Sequence, residues 1–466
     1  MPSRVREVEA VNVRSELRIL MRDRQFLGIV GFLALILAVA FWSGHNEQSD
    51  LRRRAQVAQS VSAEQVSTLQ QNLRLADQGL GDEIRPVPTS PSVLAATTNP
   101  YVLKQNTRLA LTAVGEADVR PSLVRLGDPF DPTWTYDEIV SPLALASGRF
   151  DLAFGVVVLL PLLVIALMFR LYSGDHEAGT RLLLESGQHR LWKILAIRAS
   201  LKYLLFTGSL GGMFFLGVGL TTGGIPLEEC LRWITFCGTY ILIWFLICFW
   251  VCLFRAASGS NIAVLISIWA LLVIVIPIGL NAWVSNPEES LAKLEVALEY
   301  RGVLEHLEAT PEMIASLEAS AGIPPGSAET STAAALAMRQ FAIKQVRPQM
   351  QGLQAQAIAR EKQLQRLGGW NPAVSLNALL AKLAGRDPES FRRFERYLSQ
   401  EHARRQAFFL KPRLIGARMS ERDLAEIPRL GPQEEPSGPA WREAWPLGLT
   451  SLILLGIVGL GVRRQL

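Results

Sequence analysis

The chain has 466 residues and a formal net charge of +5; 49% of its residues are hydrophobic and 19% are charged. Its basic residues form no patch interleaved with aromatic side chains, which argues against nucleic-acid binding. All four cysteines lie between residues 230 and 252, so a disulfide framework for the long segments on either side is excluded.

Six apolar stretches are long enough, or nearly so, to cross a bilayer as helices, which takes about 20 residues. They are residues 26–43, 152–172, 203–220, 234–254, 262–284 and 446–462. The sequence therefore predicts an all-α membrane protein with six transmembrane helices. Outside the spans it predicts a segment 1–25, a long segment 44–151, a charged segment 173–202, a short loop 221–233 and a second long segment 285–445.

The first long segment shows a helical pattern and then a mixed one. Leu51, Val57, Val61, Leu69 and Leu73 recur at helical spacings among Arg and Gln, so we expect the first span to continue as an amphipathic helix to about residue 79. A Pro- and Ser-rich stretch at 86–92 ends this pattern. Residues 93–125 mix Thr, Val and Leu with turn residues, which predicts short strands.

Two features lie inside the predicted spans. Pro161 and Pro277 cannot donate a backbone hydrogen bond, so neighbouring helices must satisfy the freed carbonyls, and kinks there are candidate hinges. In the third span, Gly208 and Gly212 have the small-xxx-small spacing that allows close helix approach. Packing within the subunit is the favoured interpretation of these glycines, and a dimer seam is the alternative.

The second long segment is predicted to be mainly helical. Thr310-Pro311, Asn371-Pro372 and Asp387-Pro388 each join a capping residue to a proline at the first helical position. A longer helix is expected between about Thr332 and Leu367, with Pro348 inside it. Residues 411–440 hold five prolines and are expected to form a loop that returns the chain to the membrane. With its own capped helices, this segment is expected to fold alone.

Arg and Lys near the spans indicate the orientation. They cluster before the first span, after the second and fourth, and after the sixth. This distribution places both termini and segment 173–202 in the cytoplasm, and segments 44–151, 221–233 and 285–445 outside. Ala38-Val39-Ala40 also resembles a signal-peptidase site, but the apolar run and the charged part before it are long, so an uncleaved anchor is favoured.

The sequence lacks the usual signatures of catalysis. No G-x-x-x-x-G-K-[ST] phosphate loop, H-E-x-x-H or C-x-x-C motif occurs. Asp175, His176 and Glu177 are consecutive and would point in different directions from a helix. Cys248 and Cys252 share a helix face, where a soft metal is the alternative to simple packing. We therefore predict no catalytic, cofactor or metal site, and a protein that is not an enzyme.

Two stretches resemble a known family. The segment DHEAGTRLLL at 175–184, with Phe150-Asp151-Leu152 ahead of the preceding span, resembles the coupling segment of type-2 (ABC-2) ABC transporter permeases. That family's Pro-x-Ser-Arg is represented only by Arg190, with Gly187 near the proline's place, and Ala196 to Arg198 replace its Leu-Gly-Lys. Residues 371–429 resemble the membrane-distal region of a subgroup with two large outer loops, grouped with multicopper-enzyme-maturation permease components.

The resemblance implies a permease subunit in a bacterial inner membrane. ATP would be bound by separate ABC ATPase subunits, and a second permease copy or a homologous permease would complete the translocation unit, with a periplasmic protein as a further partner. The implied ATPase-coupling residues are Asp175, Glu177, Gly179, Thr180, Arg181, Arg190 and Lys193. Independently, the Leu-rich, basic pattern of this segment predicts an interfacial helix with a polar side toward the cytosol.

Two functional hypotheses remain open at this point. The first is export or extraction of a substrate, driven by the separate ATPase. Since ionisable residues usually mark ion paths and the spans are almost free of them, a lipid-like, peptidic or hydrophobic substrate is favoured over a small hydrophilic ion. The second is a structural or force-transmitting membrane protein whose outer segments dock a periplasmic partner while nothing crosses between the spans.

Overall fold

The computed structural model describes residues 16–78, 89–118, 120–130, 150–171, 173, 191–224, 226–253, 257–284, 288–436 and 438–464. These residues are mostly helical. The helices are α1 Arg24–Asp77, α2 Pro91–Thr97, α3 Leu152–Met168, α4 Leu191–Thr222, α5 Leu227–Leu253, α6 Ser258–Val284, α7 Glu288–His306, α8 Pro311–Ala321, α9 Thr330–Gly368, α10 Pro372–Leu383, α11 Pro388–Leu414, α12 Glu421–Glu426 and α13 Trp445–Arg464.

Five helical stretches among the described residues are long and apolar enough to cross a membrane. They are Arg24–Asp77, Ile194–Thr222, Leu227–Leu253, Ser258–Val284 and Trp441–Gly461. Leu152–Met168, at the second predicted span, is a shorter apolar helix. By the length and composition of these helices, the chain is an all-α multi-pass membrane protein.

The loop predicted at 221–233 is much shorter in the structure. α4 continues to Thr222 and α5 already begins at Leu227, after Pro226. Glu228 and Glu229 occupy the first turn of α5, where negative charge is favoured by the helix dipole. Hydropathy alone assigned this polar first turn to the loop, whereas the structure places it in the helix; the start of the membrane span at residue 234 stays a prediction.

The largest apolar core lies among the apolar helices and has α5 at its centre. Of the apolar window of α5, 78% is buried, against 6% for α6. Trp233 of α5 stacks on Phe214 of α4 with ring centroids 3.7 Å apart, and Phe41 of α1 lies against Phe214. α5 is therefore surrounded by its own chain, whereas α6 is exposed along most of its length.

A second core lies at the far end of α1. As predicted, the first span continues without a break into a long amphipathic helix. Leu69 and Leu73 of this extension are buried with Leu94 of α2, Leu336 of α9 and Phe409 of α11. The predicted short strands are also confirmed: β1 Tyr101–Leu103 pairs antiparallel with β2 Leu123–Arg125, and Val102 and Val124 pack on α11.

The predicted helix starts in the second long segment are confirmed. α8, α10 and α11 begin at Pro311, Pro372 and Pro388, and α9 runs through Pro348. Residues 411–440 are not wholly a loop, because α11 extends to Leu414 and α12 forms at Glu421–Glu426. Ser420 and Asp423 form a reciprocal capping box that starts α12, a signal that the proline-rich composition concealed.

α10 connects the helices of the second long segment to the apolar helices. Leu376, Leu379, Leu380 and Leu383 of α10 are buried in the same core as α3, α5 and α13. A 12-residue helix from the long outer segment is thus part of the packing of the apolar helices. The two regions share one core where α10 enters it.

Candidate functional site

The predicted coupling residues fall mostly outside the described residues. Asp175, Glu177, Gly179, Thr180, Arg181 and Arg190 belong to this group, and Lys193 lies in the first turn of α4. The structure describes both flanks of the segment: α3 with residues 169–171 and Ser173 before it, and α4 after it. The contacts of these two flanks therefore define where the segment joins the apolar helices.

Before the segment, the last turn of α3 is held by four other helices. The final carbonyls of any helix lack partners within it and must find them elsewhere. Here four consecutive carbonyl oxygens, which we call the carbonyl junction, accept from side chains of four helices. The donors are Gln25 Nε2 of α1 to Ala166 O (2.6 Å), Lys202 Nζ of α4 to Leu167 O (2.9 Å), Cys252 Sγ of α5 to Met168 O (3.4 Å) and Asn261 Nδ2 of α6 to Phe169 O (3.4 Å).

The chain beyond the carbonyl junction is also attached to α6. The hydroxyls of Ser173 and Ser258 lie 2.6 Å apart, and the Ser173 side chain is buried. Residues 166–169 and Ser173, which precede segment 174–190 in the chain, are therefore bonded to α1, α4, α5 and α6. A displacement of these residues would act on four helices together.

A cavity of about 590 Å³ lies beside the carbonyl junction. It is formed by residues 16–23, by Arg170 and Leu171 after α3, and by the start of α4. Arg198 and Glu16 form an ion pair of 3.0 Å across it. Lys202 lines the cavity and also donates to Leu167 O, so the cavity and the carbonyl junction share a side chain.

The two prolines inside the apolar helices are each preceded by a π-helical stretch. Gly155–Leu159 precedes Pro161 in α3, and Ala270–Val275 precedes Pro277 in α6. Such stretches are frequent at functional sites and relieve the loss of a regular hydrogen bond. The freed carbonyl of Val157 accepts from Tyr240 Oη of α5 at 2.8 Å, which confirms the expectation that a neighbouring helix satisfies it.

At Pro277 the donor comes from the outer segment instead. Asn371 Nδ2 donates to Leu272 O, five residues before Pro277, at 2.8 Å. The same side chain caps α10, since its Oδ1 accepts from the backbone of Ala373 at 2.9 Å and of Val374 at 3.3 Å. Asn371 is 6% exposed. One buried amide therefore joins the start of α10 to the irregular turn of α6.

A buried arginine between α10 and α11 connects this part of the chain to α1 and to the first long segment. Arg386 is 1% exposed and pairs with Glu47 of α1 at 2.9 Å, and its Nη1 donates to Ala113 O at 3.2 Å. Beside it, Asp151 accepts from the backbone of Val114 at 2.6 Å and caps α3 through Phe154 at 2.7 Å. Sequence reasoning missed Arg386, because nothing in its local pattern separates it from a solvated loop arginine.

Gly208 and Gly212 face open space among the described residues. A Cβ added at either position would have no atom of these residues outside its own helix within 4 Å. Packing of these two positions within the subunit or at a dimer seam stays a prediction. Close approach occurs at Gly217 instead, where an added Cβ would overlap the ring of Phe41. The open glycines lie on the exposed side of α4 together with Leu204 and Leu216.

No metal cluster accompanies these features: the described residues contain no group of three or more His, Cys, Asp or Glu side chains placed to hold an ion.

Comparison with protein families finds one match, in which residues 327–432 fit the family model described as "Domain of unknown function (DUF3526)". The match begins just before α9 and includes Asn371 and Arg386. No curated protein and no solved structure matches the chain.

Proposed function

We propose that the chain is the transmembrane permease subunit of a bacterial ABC-2 type transporter, an exporter driven by a separate ATPase subunit. The carbonyl junction is the observation that carries the proposal. A coupling segment must pass a displacement to the spans, and segment 174–190 follows the turn of α3 that side chains of four helices bond. The proposed partner, a separate ABC ATPase subunit, is inferred from the resemblance of this segment to the family's coupling segment.

The proposed topology has six spans, with α3 as the second. Seventeen residues of helix are at the lower end of what crosses a bilayer, and α3 has this length. In this topology both termini and segment 173–202 lie on the cytoplasmic side of the inner membrane. Segments 44–151, 221–233 and 285–445 face the periplasm. This orientation rests on the distribution of Arg and Lys.

Cysteine labelling in intact cells tests the topology. The native cysteines are buried, so labelling reports introduced cysteines at exposed positions. Ser60→Cys and Gln351→Cys should react with a membrane-impermeant maleimide, and Arg18→Cys should react only after the inner membrane is opened. Labelling of Gln351→Cys only in opened cells would reject the orientation.

Charge reversal in segment 174–190 tests the coupling. Glu177→Arg or Arg190→Glu should reduce ATPase co-purification and transport-coupled ATP hydrolysis, while the amount of protein in the membrane stays constant, because charges that face the cytosol, as a coupling segment requires, contribute little to folding. Arg347→Glu, at an exposed position of α9, is the matched control. If both variants keep wild-type coupling, or if they only lower the amount of inserted protein, the coupling role is rejected.

A second candidate is force transmission to a periplasmic partner without transport. The bond from Asn371 to Leu272 and the burial of α10 among the spans favour it, because they connect the outer helices directly to an apolar helix. Both candidates need the ATPase, so the discriminating measurement is transport. ATP-dependent movement of a hydrophobic substrate by reconstituted protein supports the permease, and ATP-dependent change in the outer helices without movement supports force transmission.

A further inference from the structure

The bond from Asn371 to Leu272 depends on the hydrogen-bond register of α6. In the π-helical stretch of α6, the backbone nitrogen of Ile276 donates to Leu271 O, five residues back. In the same register the nitrogen at the next position would donate to Leu272 O, but Pro277 has no N–H. The side-chain amide of Asn371 supplies the missing donor at 2.8 Å. Asn371 therefore satisfies the carbonyl that this register leaves free.

An α-helical register would remove this bond. The nitrogen of Ile276 would then donate to Leu272 O, four residues back, and the carbonyl left without a donor by the proline would be that of Val273. Asn371 would meet an acceptor that a backbone donor already occupies. The register of α6 and the attachment of α10 therefore belong to one equilibrium, in which Asn371 is bound in the π-helical state and released in the α-helical state.

The other end of the same stretch is bonded to α3. Trp269, the residue just before the stretch, donates from Nε1 to Val158 O at 3.0 Å, and its side chain packs against the largest apolar core. Val158 belongs to the π-helical stretch Gly155–Leu159 of α3. The irregular stretches of α3 and α6 are thus bonded directly to each other.

A change of register in α6 has a consequence for α3. A π-helical bond reaches back five residues and an α-helical bond four, so a conversion rotates Trp269 relative to the part of α6 that follows Pro277. This rotation moves the indole away from Val158 O. The carbonyl then lacks its donor inside the apolar core, where an unsatisfied acceptor is costly.

We infer that α10 sets the helical register of α6 and, through Trp269, the register of α3. While Asn371 is bound to Leu272 O, both stretches are π-helical. When α10 is displaced, α6 converts and the bond to Val158 O opens. The coupling runs through a two-state element that both ends bias. The inference needs neither an ATPase nor transport and goes beyond the proposed function.

A double-mutant cycle on the full-length protein in detergent tests this coupling. Wild type, Asn371→Ser, Trp269→Phe and the double variant are compared by hydrogen exchange of peptides 152–168 and 262–284. Asn371→Ser should speed exchange in both peptides about tenfold, which corresponds to about 1.4 kcal/mol for an unsatisfied buried acceptor. Trp269→Phe keeps an aromatic ring and removes the Nε1 donor. In this background Asn371→Ser should still speed exchange of 262–284 but leave 152–168 within about twofold.

Trp233→Phe is the matched control. Trp233 is fully buried in α5, and its Nε1 has no hydrogen-bond partner among the described residues. The substitution therefore removes the same atoms from the same core without breaking a bond to α3. In the Trp233→Phe background, Asn371→Ser should still speed exchange of peptide 152–168 about tenfold.

Pro277→Ala tests the register itself. Alanine restores a backbone N–H, which satisfies Leu272 O in the π-helical register and Val273 O in the α-helical one. α6 then no longer needs the amide of Asn371. Adding Asn371→Ser to Pro277→Ala should leave the exchange of both peptides within about twofold of Pro277→Ala alone.

Each contrary outcome rejects the inference. Unchanged exchange of 152–168 in Asn371→Ser shows that α10 does not act on α3. Equal results in the Trp269→Phe and Trp233→Phe backgrounds show that the indole donor does not carry the coupling. A full effect of Asn371→Ser in the Pro277→Ala background shows that Asn371 does not hold the register. Since no ATPase is present, loss of coupling in the Glu177 and Arg190 variants has no bearing on this result.

Discussion

Asn371 has two roles that can be separated by substitution. Its oxygen caps α10, and its amide nitrogen satisfies Leu272 O in the π-helical stretch of α6. Asn371→Ser keeps a good capping oxygen, but the shorter side chain cannot reach α6. Asn371→Ala removes both. Comparison of the two variants therefore measures the bond between α10 and α6 by itself.

We expect Asn371→Ser to lower stability by about 1–3 kcal/mol, the cost of a buried acceptor left unsatisfied. Asn371→Ala also removes the capping oxygen of α10 and should lower stability by about 1 kcal/mol more than Asn371→Ser. The measurement is the thermal unfolding midpoint in detergent, together with hydrogen exchange of the amides in α6. If Asn371→Ser behaves as wild type in both, the bond to Leu272 does not hold the irregular turn.

Lys104 is a buried cation whose protonation affects stability. It is 3% exposed, its Nζ donates to Gly385 O at 2.5 Å and to Asn106 Oδ1 at 2.9 Å, and it lies 4.8 Å from the centroid of the Phe391 ring. Burial lowers the pKa of Lys104 from 10.5 to about 8, with Asp387 opposing this shift and Arg386 and Arg393 adding to it.

The sign of the pH dependence follows from this shift. Between pH 8 and 10.5 the unfolded chain binds a proton at Lys104 that the folded protein has released, so stability rises with pH in this range. The stability of the wild type relative to Lys104→Met should therefore increase from pH 8 to 10.5 and stay constant below pH 7. Lys344→Met, exposed in α9, should remain parallel to the wild type. Parallel curves for Lys104→Met would contradict the assignment.

At the scale of elements, α1 and the first outer segment meet at a glycine. A Cβ on Gly44 would overlap the carbonyl oxygen of Leu111, which belongs to a short 3₁₀ turn at Ala110–Thr112. The turn lies against α1 at a distance that only glycine permits. The carbonyl oxygen of Arg386 makes a similar approach to Gly115, which has a φ of +54°.

Gly44→Ala should destabilise the protein by about 1–3 kcal/mol, because the turn must move to admit the methyl group. Gly28→Ala in the same helix has nothing within 4 Å of the added Cβ and should be neutral or stabilising, since alanine is the better helix former. Thermal unfolding of both variants in one detergent provides the comparison. Equal midpoints would show that the outer turn is not held against α1.

At the scale of the whole molecule, the helices of the second long segment and the apolar helices share a core through α10. The capped helices of residues 286–440 predict that this region folds alone, but Leu376, Leu379, Leu380 and Leu383 are buried against the apolar helices. Burying each leucine contributes about 1.5–3 kcal/mol. In an isolated fragment these side chains would be exposed as one apolar patch.

We therefore expect the fragment 288–436 to associate or to bind detergent when it is produced without the spans. Replacing the four leucines of α10 with glutamine should reduce this association without abolishing it, because the fragment also lacks Leu69, Leu73 and Leu94, which cover Leu336 and Phe409 in the second core. Size-exclusion chromatography with and without detergent measures this. A wild-type fragment that is monomeric without detergent would show that the leucines of α10 are buried against other residues of the fragment.

Local signals predicted much of the architecture. Capping residues joined to proline gave the starts of α8, α10 and α11, and periodic apolar residues gave the length of α1. The need to satisfy a carbonyl near Pro161 was predictable from its chemistry, whereas the donor Tyr240 was not. Long-range partners such as Arg386 with Glu47 depend on how the helices pack, and no local pattern records that packing.

The candidate site also has one part that the sequence predicted and one part that it did not. The segment with the family resemblance was found from sequence, but its predicted contacts lie outside the described residues and stay predictions. The carbonyl junction was not predictable, because Gln25, Lys202 and Asn261 come from helices far apart in the chain. A charged or amide residue near a span end was the only available signal, and it is shared by many residues that face solvent.

The unbroken length of α1 also limits how far its end can lie from the bilayer. Its 54 residues make a helix of about 80 Å, of which the hydrocarbon core takes about 30 Å. Its far end is fixed by Gln70 and Arg74, which bond Glu421 at 2.8 and 2.6 Å. If α1 stands along the bilayer normal, its far end lies up to about 50 Å from the hydrocarbon core, so a protein bound there would reach the bilayer surface only if it were of similar length.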